Sequence, residues 1–183
     1  EWVDINAANK EGIKVINCPT QNTWAVAEHA IGLMFIIARK IIEANNSLRS
    51  GKWQPEIYKG VELRNKKLGI IGYGKIGQKV ARLASGLMMN VHYANSKTPQ
   101  KELDQLLTKS DFVCLNVPLN EHTKHIIDER RMGLMKRTAF LVNVSRGAVI
   151  DQKALITALQ NQQIAGAALD VFENEPLTGQ PNK

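Results

Sequence analysis

The sequence predicts an α/β protein built on a doubly wound parallel sheet. Three observations carry that prediction. From Lys67 onward, short apolar runs of strand length alternate with helical segments. The runs show little in/out alternation, as strands covered on both faces do. A glycine-rich turn, Gly72-Tyr73-Gly74-Lys75-Ile76-Gly77, joins the first run to the first helix of this series. Right-handed βαβ crossovers then place helices on both faces of the sheet.

Taken in order, residues 13–17 (Ile-Lys-Val-Ile-Asn) form a short β-rich run closed by Cys18-Pro19. A long helix is expected from Trp24 to about Leu48. The stretch holds no Pro, Asn22 or Thr23 can cap it, and Arg39, Lys40 and Arg49 lie toward an end closed by Gly51. Its middle, Ile31 to Ala38, is apolar all round, which predicts burial on more than one side and a helix–helix or subunit contact. The strand runs are Leu68 to Ile71, Val91 to Ala94, Phe112 to Val117, Ala139 to Val144 and Ile164 to Val171. Helices are expected near 75–89, 99–109, 128–135 and 151–161. One dinucleotide-binding domain is expected over 1–183, with 1–62 as leading strand, long interface helix and arm, and 63–183 as its core.

Composition narrows the function classes. With 183 residues, 44% apolar and 22% charged, the chain can bury a real core and lacks the bias of a disordered or fibrous sequence. The charge-free stretch of its most hydrophobic segment runs only from Ala30 to Ala38, short of the roughly 18 residues of a membrane helix, so no membrane partner is expected. Cys18 and Cys114 sit inside apolar runs and no secretory leader opens the sequence, which points to the reducing cytoplasm. The net charge of +7 is local: residues 39–82 hold eleven Lys/Arg against Glu43, Glu56 and Glu62, a net of +8. That segment lacks the interleaved aromatics of a single-strand binding face, so nucleic acid is not the expected partner. A solvated surface or a site for an anionic ligand remains.

The glycine turn carries the chemistry. Glycine serves there to turn tightly, to let backbone approach a pyrophosphate, and to let helix pack closely on strand. The helix N-terminus then offers unpaired N–H groups and a positive dipole end to phosphates. About twenty residues on, a dinucleotide fold of the Rossmann type places an acid at the adenosine ribose. Here the second strand ends Tyr93-Ala94-Asn95-Ser96-Lys97, with no carboxylate. Asn, Ser and Lys can receive a 2′-phosphate, so the cofactor is NAD or NADP, and Asn95 alternatively only shapes a turn. The remaining strands end at Pro118, at Ser145-Arg146-Gly147 and at Asp170, so Gly72, Asn95, Val117, Arg146 and Asp170 should border one crevice. Arg146, between Ser and Gly after a buried strand, reads as an anion clamp.

Three ordered blocks make the chain resemble the D-isomer-specific 2-hydroxyacid dehydrogenases. They are Gly72 to Gly77; Leu141-Val142-Asn143-Val144-Ser145-Arg146-Gly147-Ala148-Val149-Ile150-Asp151; and Gly166-Ala167-Ala168-Leu169-Asp170-Val171-Phe172-Glu173-Asn174-Glu175-Pro176. Val26-Ala27-Glu28-His29 and Ser50-Gly51-Lys52-Trp53 fit as well. The resemblance implies an NAD(P)-dependent oxidoreductase acting on a small 2-hydroxyacid or 2-ketoacid. It implies Gly72, Gly74, Lys75, Ile76 and Gly77 at the pyrophosphate, Asn95 at the ribose, and Val117, Pro118 and Thr123 on the adenine side. Val144 and Asp170 would lie near the nicotinamide. Arg146 would hold the substrate carboxylate and keto oxygen, and Glu175 would raise the pKa of a catalytic His. It also implies a homodimer through the helix and the arm around Trp53.

The departures are informative. That His belongs to a further block, and none of His29, His92, His122 and His125 matches it, so all four read as structural. The sequence, which opens without Met and stops at Pro181-Asn182-Lys183 after a turn-like Glu-Pro-Leu-Thr-Gly stretch, is expected to be part of a longer chain, inactive alone and without its substrate domain. The resemblance extends to the C-terminal-binding-protein corepressors, which leaves a dinucleotide-sensing interaction module as the alternative. No metal site is expected.

Overall fold

A computed structural model describes residues 3–18 and 20–176. Pro19, at the end of the leading run, and the tail from Leu177 therefore lie outside the described residues. The elements in chain order are α1 (Ile5–Lys10), α2 (Thr23–Ala38), α3 (Ile41–Arg49), β1 (Lys67–Ile71), α4 (Lys75–Gly86) and β2 (Asn90–Ala94). They continue as α5 (Gln100–Lys109), β3 (Phe112–Leu115), α6 (Glu129–Leu134), β4 (Phe140–Asn143), a 3-10 turn (Gly147–Val149), α7 (Gln152–Gln160) and β5 (Gly166–Leu169).

The five strands pair in parallel in the order β2-β1-β3-β4-β5. The three central strands, β1, β3 and β4, bury both of their faces, while the edge strands β2 and β5 are only partly covered. Leu68, Ile70, Phe112, Cys114 and Val142 point toward α2 and α4, where they meet Ala27, Met34 and Val80. Ile71, Val113, Leu115 and Leu141 point the other way, onto Leu103 and Leu107 of α5, Met132 of α6 and Leu155 of α7. That is the doubly wound sheet expected from the near-absence of alternation in the runs. The chain runs outward from β1 to β2, then returns to the other side of β1 for β3. The strand order therefore reverses between β1 and β3, and a ligand crevice opens outside the carboxyl ends of strands at such a point.

Two expectations about the leading segment are corrected. Residues 13–17 form no strand: the segment is irregular, and Ile13 and Ile16 are 59% and 73% exposed, with no neighbouring strand to pair. The long helix is two helices, broken at Lys40, whose backbone is left-handed (φ 51°, ψ 41°). The cause lies far along the chain. The arm returns at Gly60-Val61, and the Val61 N–H donates to the Ala38 carbonyl at 2.8 Å. A Cβ on Gly60 would stand 2.5 Å from that oxygen, so only glycine lets the arm approach. The apolar middle of the helix does pack on several sides: Ala30 and Met34 are buried, and Leu33 and Phe35 lean on the same core.

Candidate functional site

At the reversal point an open cleft of about 410 Å³ is lined from four directions. Gly74, Lys75 and Ile76 come from the start of α4, and Asn116, Val117 and Pro118 from the end of β3. Val144, Ser145 and Arg146 follow β4, while Thr23 and Val26 of α2, with Asn22 just before it, form the remaining wall. Gly72 has φ +97°, and a Cβ there would meet the Asn116 carbonyl at 2.4 Å. A Cβ on Gly77 would meet the Gly72 carbonyl at 2.1 Å. Gly74 is different: it caps α4 without a side-chain bond, and nothing lies within 4 Å of where its Cβ would be. Because Gly74, Lys75 and Ile76 all line the cleft, the start of α4 borders it, the arrangement that receives a phosphate anion.

Behind the cleft, Asn143 shapes the turn that carries Arg146. It is fully buried, its Nδ2 donates to the Arg146 carbonyl at 2.9 Å, and its Oδ1 accepts from the Ser145 N–H at 3.0 Å and hydroxyl at 2.8 Å. The Arg146 guanidinium in turn donates to the Ser145 carbonyl at 2.7 Å. Asn116 lines the cleft with a buried Oδ1 that has no hydrogen-bond partner among the described residues. Its Nδ2 leans on Cys114, whose thiol burial pushes up to about 12, so that group stays neutral. Neither Asn143 nor Asn116 is expected at the site from the sequence, and Asn22, Thr23 and Val26 are read there only as a helix start and a family block, not as a wall of the cleft. The signal available for Asn143 was a polar residue inside an apolar run, which has to satisfy its amide internally.

The other expected positions surround the cleft without lining it. The Ala94 carbonyl accepts from Gly72 N–H at 2.9 Å, which brings Asn95 beside the glycine turn. The Asn95 side chain folds back on its own turn, with Oδ1 accepting from Lys97 N–H at 2.8 Å. Tyr73 and Tyr93 stack there with ring centroids 3.7 Å apart. The Thr123 hydroxyl donates to the Pro118 carbonyl at 2.5 Å and so fixes the turn after Val117 and Pro118. Asp170 follows β5, and its carboxylate lies 3.2 Å from His29 Nε2. Glu175 Oε1 accepts from Phe172 N–H at 2.7 Å. That turn is seated on Gly147, where a Cβ would overlap the Phe172 carbonyl group, so Glu175 and Arg146 belong to adjoining segments. His125 pairs with Glu173 at 2.9 Å and ties the Pro118 loop to the same turn.

Residues 31–182 match the model of the D-isomer specific 2-hydroxyacid dehydrogenase NAD binding domain. The chain belongs to this family. It is 43% identical to a glyoxylate reductase from Pyrococcus furiosus over 191 residues, covering 95% of this chain and 57% of that protein. A D-lactate dehydrogenase from Aquifex aeolicus, solved with NAD and lactic acid, superposes with a TM-score of 0.83 at 33% identity, over 94% of this chain and 55% of that one. An acyclic imino acid reductase solved with NADPH and D-Arg gives 0.83 at 37%, over 94% and 59%. The chain thus spans a little over half the length of the relatives it matches. The matched domain holds the glycine turn, Arg146 and Glu175 of this chain alike.

Proposed function

We propose that this chain is the cofactor domain of an NAD(P)-dependent oxidoreductase that moves hydride between a nicotinamide and a small D-2-hydroxyacid or 2-ketoacid. One observation carries the reading: the open space over Gly74 at the start of α4 and the Arg146 turn face the same cleft at the reversal point of the sheet. The groups present fit a dinucleotide, because Gly72 and Gly77 admit close backbone and Gly74 leaves room for a pyrophosphate. When bound, the cofactor supplies or accepts the hydride at its nicotinamide ring. Lys75, Ile76 and the α4 N–H groups hold the pyrophosphate, and Val117, Pro118 and Thr123 shape the adenine side. Val144 and Asp170 border the nicotinamide. Arg146 binds the substrate carboxylate and polarises its keto oxygen. Glu175 is the carboxylate that keeps a catalytic imidazolium charged until it donates its proton to that oxygen.

On this reading residues 63–183 are the core of the cofactor domain and 1–62 its leading segment and arm. The protein works as a homodimer in the cytoplasm, the latter supported by the two unpaired cysteines. Titrating NADH and NADPH into the chain, followed by cofactor fluorescence, tests the assignment. Gly74→Glu places a carboxylate in open space without touching neighbouring protein, so the fold survives while dinucleotide affinity falls at least about tenfold. Affinity unchanged by that substitution would overturn the reading.

A further inference from the structure

The positive excess of residues 39–82 is not used up by the cofactor cleft. Three of its cations, Lys75, Lys79 and Arg82, follow one another at helical spacing on one face of α4. With Gln78 they line a second cleft of about 440 Å³, whose opposite wall is Thr20 and Trp24. No carboxylate lines it, and none of the three cations has a salt-bridge partner among the described residues. Two of the cationic heads, Lys79 and Arg82, are held in place by neutral groups instead. Lys79 Nζ donates to the Thr23 hydroxyl, which itself donates to the Thr20 carbonyl at 2.8 Å. Lys79 Nζ and the Arg82 guanidinium lie 4.9 and 5.7 Å from the centre of the Trp24 ring. Positive groups oriented by a ring face and a hydroxyl, in a concavity without acids, keep their affinity for an anion.

We propose that this cleft between α2 and α4 is a second anion site, for phosphate or a phosphate monoester. Two features select the ligand class. Three converging cations match a dianion better than a monocarboxylate, and the volume lies within the range of small-molecule sites, roughly 300–1,000 Å³. Trp24, 41% exposed, offers a carbon face to the remainder of an ester. Lys75 lines both clefts, so occupancy here weakens dinucleotide binding, and dinucleotide weakens anion binding by the same factor. That coupling rests on the cofactor reading; the anion site does not.

The test is calorimetric titration of inorganic phosphate, and separately of glycerol phosphate, into the chain at low ionic strength without cofactor. Saturable one-site binding is expected for both, tighter for glycerol phosphate because of the Trp24 wall. Affinity should fall about tenfold in Lys79→Gln/Arg82→Gln and about threefold in Arg82→Gln alone, a change at an exposed position that spares the fold. Neither residue lines the cofactor cleft, so NADH affinity measured without phosphate stays within about twofold of the parent. Saturating phosphate raises the NADH dissociation constant of the parent and not of the double variant. Absence of saturable phosphate binding at millimolar concentration overturns the site, as does binding that survives the double substitution. Retention of duplex DNA with steep salt dependence but not of phosphate overturns it too. A chain that takes up phosphate and no NADH overturns the cofactor reading and leaves this site standing.

Discussion

Gly147 shows how one residue without a side chain holds two parts of the site together. Its Cα faces the backbone of Phe172 so closely that a Cβ would fall 1.8 Å from the carbonyl carbon. No rotamer relieves a clash between backbone atoms. Gly147→Ala should therefore cost about 3 kcal/mol in urea unfolding, or else push the Phe172–Glu175 turn off its seat. Wild-type stability together with an unshifted turn would show that the approach is looser than described. Asn95 poses the opposite question, because its Oδ1 is already engaged with Lys97 N–H. An Asp can accept the same bond, so Asn95→Asp keeps the turn and adds a negative charge where a 2′-phosphate would sit. The ratio of NADPH to NADH affinity should drop about tenfold, read from paired titrations. A ratio that does not move would leave Asn95 as a turn residue only.

Among the elements, α5 and α6 are joined through charge. Asp104 on α5 accepts from Arg130 at 2.7 Å and from Arg131 at 3.1 Å, and Arg131, largely buried, also donates to the Ile126 carbonyl at 2.9 Å. The hydrogen bond from Arg130, aided by Arg131, holds the Asp104 carboxyl below its ordinary value of 3.8. A carboxylate with a depressed folded-state pKa adds stability above its unfolded pKa and loses it as pH falls through the folded one. Asp104→Asn should therefore destabilise by about 2 kcal/mol at pH 7. The gap from the parent should close below about pH 4, read from urea midpoints across pH. A gap of constant size would place the effect in packing. These elements were legible from apolar spacing: all five strand runs and their order of appearance follow from it. Their ends were not. α4 stops at Gly86 because Met88 adopts a left-handed conformation and Met89 N–H returns to the Ala84 carbonyl, a turn that glycine would have announced and methionine conceals. The break at Lys40 was equally hidden, since it depends on Gly60 and Val61 arriving from the arm. Of the site, Gly72, Gly74 and Arg146 were visible as turn residues after strands. Asn116 and the α2 wall were not, because they become neighbours of the cleft only through tertiary packing.

For the molecule as a whole, the broken helix relocates the argument for a dimer. A continuous helix from Trp24 to Leu48 would have offered its apolar middle to a partner, but one face of that middle is spent on the chain's own core, where Ile31, Met34 and Ala38 are buried. Apolar side chains are left exposed on the leading segment, as at Ile13 and Ile16, and on α3 and the arm, where an aromatic stands among them. Ile42 and Leu48 are each 54% exposed, Ile57 56% and Trp53 78%. A tryptophan so exposed beside aliphatic side chains has the composition of an interface core, where aromatic anchors carry most of the binding energy. We propose that a homodimer of this chain would close through α3 and the arm. Sedimentation of the chain at micromolar concentration should give a dimer, and Trp53→Ala should raise the dissociation constant about thirtyfold, equivalent to roughly 2 kcal/mol. Because Trp53 contributes nothing to the core, the variant monomer should unfold with the midpoint of the parent measured under dissociating dilution. A parent chain that sediments as a monomer, or a dimer indifferent to Trp53→Ala, would remove α3 and the arm from consideration as the contact.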